Sequence, residues 1–150
     1  MATIKQQLYN LCHMHLEKGI TEAMQSIENA REAAKNETKS SAGDKYETAR
    51  EMMQQDIDLN KLRISALQQQ IATLHLVEPD KVTPVIQNGS IVRTSQGNYY
   101  VGVSIGKLLV ENMPYYTLTS SAPLGARLAG KKKGDKFTFN GRDFIIMEVE

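Results

Sequence analysis

Apolar positions in the first half of the chain recur at helical spacing. Met53, Ile57, Asn60, Ile64, Leu67, Ile71 and Leu74 are separated by 4, 3, 4, 3, 4 and 3 positions, the alternation of a coiled-coil seam. Its one polar member, Asn60, is the kind of residue that fixes register at some cost in stability. Upstream, Ile20, Ala23, Ile27, Ala30 and Ala34 repeat at 3 and 4, and Ile4, Leu8 and Leu11 begin a similar stripe. Gly19 falls between these stretches and predicts a kink or a shift of the seam, because a mid-helix glycine costs about 1 kcal/mol relative to alanine. Small polar residues cluster at Thr38-Lys39-Ser40-Ser41-Ala42-Gly43-Asp44, the natural place for a reversal. Asp44 with Glu47 three positions on suits the start of a second helix. These signals predict an antiparallel helical hairpin over residues 1–78 with its tip near 38–44. Arms of ~30 residues would extend roughly 45 Å, too long and thin to enclose a substrate.

The period then changes. From residue 85 onward, short alternating runs separated by turn signals read as strands: 90–94, 99–104, 108–111, 115–119, 136–139 and 143–149. Asn140-Gly141 between the last two is the strongest short hairpin signal. Pro123 at a first-turn position and Gly130 beyond the last turn bracket a short helix. The sum is an α+β chain: the hairpin, a linker at 79–84, and a small β domain at 85–150 with a bent antiparallel sheet and one short helix. In the adjacent pairs Tyr99-Tyr100 and Tyr115-Tyr116, one ring of each should point inward and one outward.

Composition reinforces the boundary. Residues 1–78 hold no proline or phenylalanine and only Gly19 and Gly43, whereas the remainder holds all four prolines, all three phenylalanines and eight of ten glycines. The first 77 residues carry a net charge of −1 and residues 84–150 carry +3, within a total of +1. That total gives no global pull toward nucleic acid. No apolar run reaches membrane-span length and the first residues lack a secretion-signal core. A cytoplasmic chain without membrane association is the expectation, and the single cysteine, Cys12, agrees with a reducing compartment.

Candidate chemistry is sparse. Lys131-Lys132-Lys133 with Arg127 and Lys136 form the obvious basic cluster; with no interleaved aromatic platform it reads as a solvated loop before a strand rather than a nucleic-acid patch. Cys12, His13 and His15 lie too close on one helix for a catalytic triad, and a metal site on Cys12 and His15 would need further ligands. His75 ends the second arm.

The segment Ala122-Pro123-Leu124-Gly125, Leu128-Ala129-Gly130-Lys131-Lys132, Gly134-Asp135, placed behind a long helical hairpin, resembles the signature of the bacterial Gre-type transcript cleavage factors (GreA/GreB-like). Their version opens with serine where this chain has Ala122. The resemblance, to a divergent member, spans nearly all 150 residues. It implies a C-terminal domain of the FKBP-like class that docks on RNA polymerase through Pro123, Leu124, Gly125, Lys131, Lys132, Gly134 and Asp135, with the hairpin entering the secondary channel. It implies a transcription elongation factor that is not itself an enzyme: it would assist the polymerase's own cleavage of backtracked RNA, touching nascent RNA only indirectly. The factor would be a monomer binding no cofactor alone.

In cleavage-competent members two acidic tip residues help hold a Mg²⁺ ion shared with the polymerase active centre. Gly43-Asp44-Lys45-Tyr46-Glu47 matches the family's Gly-Asp-x-x-Glu and nominates Asp44 and Glu47, with Glu37 nearby. Tyr46-Glu47-Thr48-Ala49-Arg50-Glu51 also resembles the family's following helical run, and aligning on Tyr46 moves the acidic positions onto Lys39 and Ala42. The first register implies cleavage stimulation; the second implies a regulator that binds polymerase without it. A coiled-coil adaptor is the reading from another class. A prolyl isomerase, suggested by the domain class alone, is disfavoured by the scarcity of aromatics for a prolyl pocket.

Overall fold

The computed structural model describes residues 2–40 and 44–150, with side chains outside 37–46. Of the expected tip at 38–44, residues 41–43 and all the side chains therefore lie outside what is described. In chain order the elements are α1 (Ile4–Ser40), α2 (Asp44–His75), β1 (Ile91–Thr94), β2 (Gly97–Val101), β3 (Lys107–Val110), β4 (Met113–Leu118), α3 (Pro123–Leu128), β5 (Lys136–Phe139) and β6 (Arg142–Val149). The α+β architecture expected from the change of period is present. Contacts divide the chain into two compact units, one formed by residues 16–69 and the other by residues 1–15 with 70–150.

The 16–69 unit is the pair of helical arms. A Cβ on Gly19 would stand 3.0 Å from Leu67 Cδ1, and Glu22 faces Arg63 at 3.9 Å. Partners on α2 thus descend as those on α1 ascend, which makes the pair antiparallel. The α2 seam lies where its spacing predicts: Ile57 is buried, and Met53, Asn60, Ile64 and Leu67 are half-buried between exposed neighbours. Asn60 donates its amide to the Asp56 carbonyl at 2.9 Å, so its hydrogen bond is made within its own helix. In the α1 part of this unit, Leu16, Gly19, Ala23 and Ile27 are buried, while Ile20 is only half-buried. Gly19 does not break the helix. It is a seam position whose missing side chain leaves room for Leu67, and a close helix approach outweighs its poor helix propensity.

The second unit is a six-stranded sheet in the order β3-β4-β2-β1-β6-β5, with the ends of both long helices. The sheet is mixed rather than wholly antiparallel: β2 and β4 run parallel, Tyr99 opposite Tyr116 and Val101 opposite Leu118. The chain leaves β2, runs out to β3 at the edge and returns as β4, which enters beside β2 in the same direction. The return is a two-residue turn with Glu111 at φ 52 and Asn112 at φ 63, both in the left-handed region that a type I′ hairpin requires. Pro114 consequently falls inside β4 instead of before it. It opposes Leu109, ahead of Tyr116 where pairing to β2 begins, so its missing N–H leaves the β2 ladder intact. Asn140 and Gly141, at φ 51 and 77, turn β5 into β6 as expected.

One face of the sheet carries Val92, Val101, Leu118, Phe144 and Ile146 in a core shared with Leu128 of α3 and with Phe137. Tyr99 packs at its margin. By strand alternation Ile91, Tyr100 and Tyr115, also buried, occupy the opposite face. Tyr100 has Cys12 and Tyr9 of α1 as electrostatic neighbours, and burial pushes its phenol well above the ordinary tyrosine range. Leu8, Cys12, Leu74 and Val77 are buried as well. Two polar contacts secure this base: Gln70 Oε1 accepts from the Ser104 N–H at 2.8 Å, and the Lys5 ammonium donates to the Lys81 carbonyl. Burial lowers the Lys5 pKa, with Glu150 opposing the shift.

Candidate functional site

Segment 122–135 folds as a short helix, a crossing and a tight turn. Pro123 occupies the first turn of α3, where its missing N–H costs nothing. The preceding residue, Ala122, has cap geometry at φ −67 and ψ 153 but offers no side-chain acceptor. The serine expected from the resemblance would supply one. Gly130, at φ 81, ends the helix and donates to the Ile86 carbonyl at 3.0 Å, while Ile86 donates to the Lys131 carbonyl at 2.8 Å. The Asp135 carboxylate accepts from the Lys132 N–H at 2.9 Å and the Asp135 N–H returns to the Lys132 carbonyl at 3.1 Å. Gly134, at φ 91, donates to the Ile146 carbonyl at 2.8 Å.

The residues of this segment and of the basic cluster therefore divide by what they touch. Gly125 is buried and Leu124 packs against the core cluster. Gly130, Gly134 and Asp135 build the backbone course. Pro123, Arg127, Lys132, Lys133 and Lys136 are exposed and Lys131 is half-exposed. Beneath the cations lies an aromatic ring that spacing did not reveal: Arg127 and Lys131 stand 5.3 and 5.4 Å from the centroid of Phe137. Phe137 is itself buried and stacked on Phe144 at 5.0 Å. It orients the two cations and offers no open face for a nucleic-acid base. Lys133 pairs with Glu148 at 2.9 Å, both largely exposed, a contact worth less than about 1 kcal/mol. The result is an exposed cationic surface held over a buried ring.

Among the tip candidates, Glu47 is exposed in the first turn of α2. The side chains of Glu37 and Asp44 lie outside the described residues. Carboxylates are suitable donors for a hard cation such as Mg²⁺, and only Glu47 of the three has a described side chain.

Cys12 and His15 do not share a site: Cys12 is buried and His15 exposed. Burial pushes the Cys12 thiol up to about 12, which withholds the reactive thiolate. Cys12 is expected to react with an aromatic disulfide reagent at pH 8 at least 100-fold more slowly in the native protein than in urea; equal rates would show that its cover opens readily. His13 instead meets His75, with Nε2 atoms 3.3 Å apart. Spacing along one helix could not show this pair. The available signal was the reversal, since a fold near residue 43 carries residue 13 back toward residue 73. Among the described residues no group of three or more His, Cys, Asp or Glu side chains is placed to hold a metal ion, and no helix is long and apolar enough to cross a membrane. No family model matches the chain, and neither does any curated protein or solved structure.

Proposed function

We propose that the chain is an RNA polymerase-binding transcription elongation factor of the Gre class, whose hairpin enters the secondary channel and whose segment 122–135 contributes to docking. The observation that carries the reading is the pairing of two long helices with that segment in one chain. Helix α1 has 37 residues, about 55 Å at 1.5 Å per residue, a length that serves for reaching into a partner. The exposed Arg127, Lys131, Lys132 and Lys133 would meet acidic polymerase surface, a role in which charge governs the association rate and its salt dependence.

Cleavage stimulation would require Asp44 and Glu47 to present carboxylates to a Mg²⁺ ion held mainly by the polymerase. That ion would activate water and stabilise the leaving oxygen. The alternative alignment on Tyr46 supports a regulator that occupies the channel without assisting cleavage.

The test is capture of RNA polymerase by the full chain, followed by RNA cleavage in a backtracked complex. Lys131→Glu with Lys132→Glu is expected to weaken capture at least tenfold at low salt. Asp44→Ala with Glu47→Ala should leave capture intact and lower cleavage at least tenfold. Capture without any cleavage would select the regulator. Absence of capture, with concentration-dependent dimers, would replace the proposal with a coiled-coil adaptor.

A further inference from the structure

His13, on α1, and His75, the last residue of α2, belong to the same compact unit. Their rings are inclined by 27° with centroids 5.4 Å apart, while the Nε2 atoms approach to 3.3 Å. The rings thus converge at their Nε2 ends and diverge behind them. Two imidazole nitrogens in this relation either share one proton, as donor and acceptor, or direct both lone pairs at a common third atom.

The separation is within hydrogen-bond reach and also fits the second arrangement. With zinc–nitrogen bonds of about 2.0–2.1 Å, the edge of a tetrahedron is roughly 3.3–3.4 Å. An ion on the two lone pairs would set the ring centroids about 5.2 Å apart. Square-planar and octahedral sites bring cis nitrogens to only about 2.8–3.0 Å, shorter than the observed separation. His75 is exposed and His13 half-exposed, so an ion can reach the pair from solvent.

We propose that His13 and His75 form a two-imidazole site for a zinc-class divalent ion. Borderline-soft imidazole donors suit zinc rather than magnesium or calcium. With no third His, Cys, Asp or Glu grouped with them among the described residues, water or a ligand from outside would complete the tetrahedron. The bound ion links the start of α1 to the end of α2, and binding to the folded state alone raises its stability by mass action. His15 serves as the internal control: it lies two positions from His13, and residues so spaced do not share a helix face.

The experiment is titration of the EDTA-treated full chain with ZnCl₂, followed by calorimetry and by thermal unfolding. One equivalent should bind, with a rise of about 5 °C or more in unfolding temperature at hundredfold excess over Kd. His13→Gln or His75→Gln should weaken binding at least tenfold, and His15→Gln should leave it unchanged. Unfolding midpoints in EDTA show whether each variant is folded. Cobalt(II) bound to the wild-type chain should give the intense visible bands of a tetrahedral site, a readout needing no variant. Absence of saturable zinc binding, binding that survives both substitutions, or an octahedral cobalt spectrum would overturn the proposal.

Discussion

Gly125→Ala is expected to destabilise the sheet-containing unit by about 3 kcal/mol or more, measured by denaturant unfolding with amide exchange across β4 and α3. A Cβ at this position would lie 1.9 Å from the Thr119 carbonyl oxygen, 2.8 Å from Leu118 Cδ1 and 2.9 Å from the Thr119 carbonyl carbon. The obstacle is chiefly backbone, so no rotamer change relieves it. Helix α3 would have to lift from the end of β4, taking Leu128, which is fully buried, out of the core. The glycine in this part of the segment is therefore a packing requirement. A cost below 1 kcal/mol would mean that α3 slides freely on the sheet, and the described core would then be wrong at this point.

Phe144→Ala should cost about 4 kcal/mol, within the range for removing a buried aromatic side chain. Phe144 is 4% exposed and joins three rings: Phe137 stacked at 5.0 Å, Phe139 edge-on at 6.4 Å and Tyr99 tilted at 6.5 Å. Phe144→Leu retains most of the volume and is expected to cost less than half as much. Because Phe137 is the ring over which Arg127 and Lys131 stand, the alanine variant should also release those cations. If the chain captures polymerase as proposed, the alanine variant should weaken that capture more than the leucine variant even where both remain folded. Equal capture by the two would show that the ring does not position the cations.

Local signals made the elements legible. The α2 seam from Met53 to Leu74 could be read because it is built of large apolar residues, and the Asn140-Gly141 turn because only a few residues accept its backbone angles. The α1 seam was harder to trace. Ala23 and Ile27 fell in the expected stripe, but Gly19 and Cys12 are buried as well, and small residues carry little hydrophobic signal, so Leu11 and Ile20 stood out in their place. The parallel β2–β4 pairing depends on where a distant edge strand returns the chain, which no local pattern encodes. At the candidate site, segment 122–135 was legible as an order of turn and helix signals. The division of its residues into framework and surface was not, because it rests on contacts with Ile86, Thr119 and Ile146. The His13–His75 pair joins residues 62 positions apart and needs both helix ends to be placed.

The burial of Cys12 beside Tyr100 has a consequence for synthesis of the chain. The apolar face of α1 around Leu8 and Cys12 is translated well before the strand that covers it. At 5–20 residues per second, the interval between Cys12 and Tyr100 is on the order of 10 s. Throughout it the nascent helix presents an uncovered face near the ribosome. Chains interrupted before β2 should accordingly be held by chaperones or aggregate, whereas chains carried through β6 can release themselves by folding.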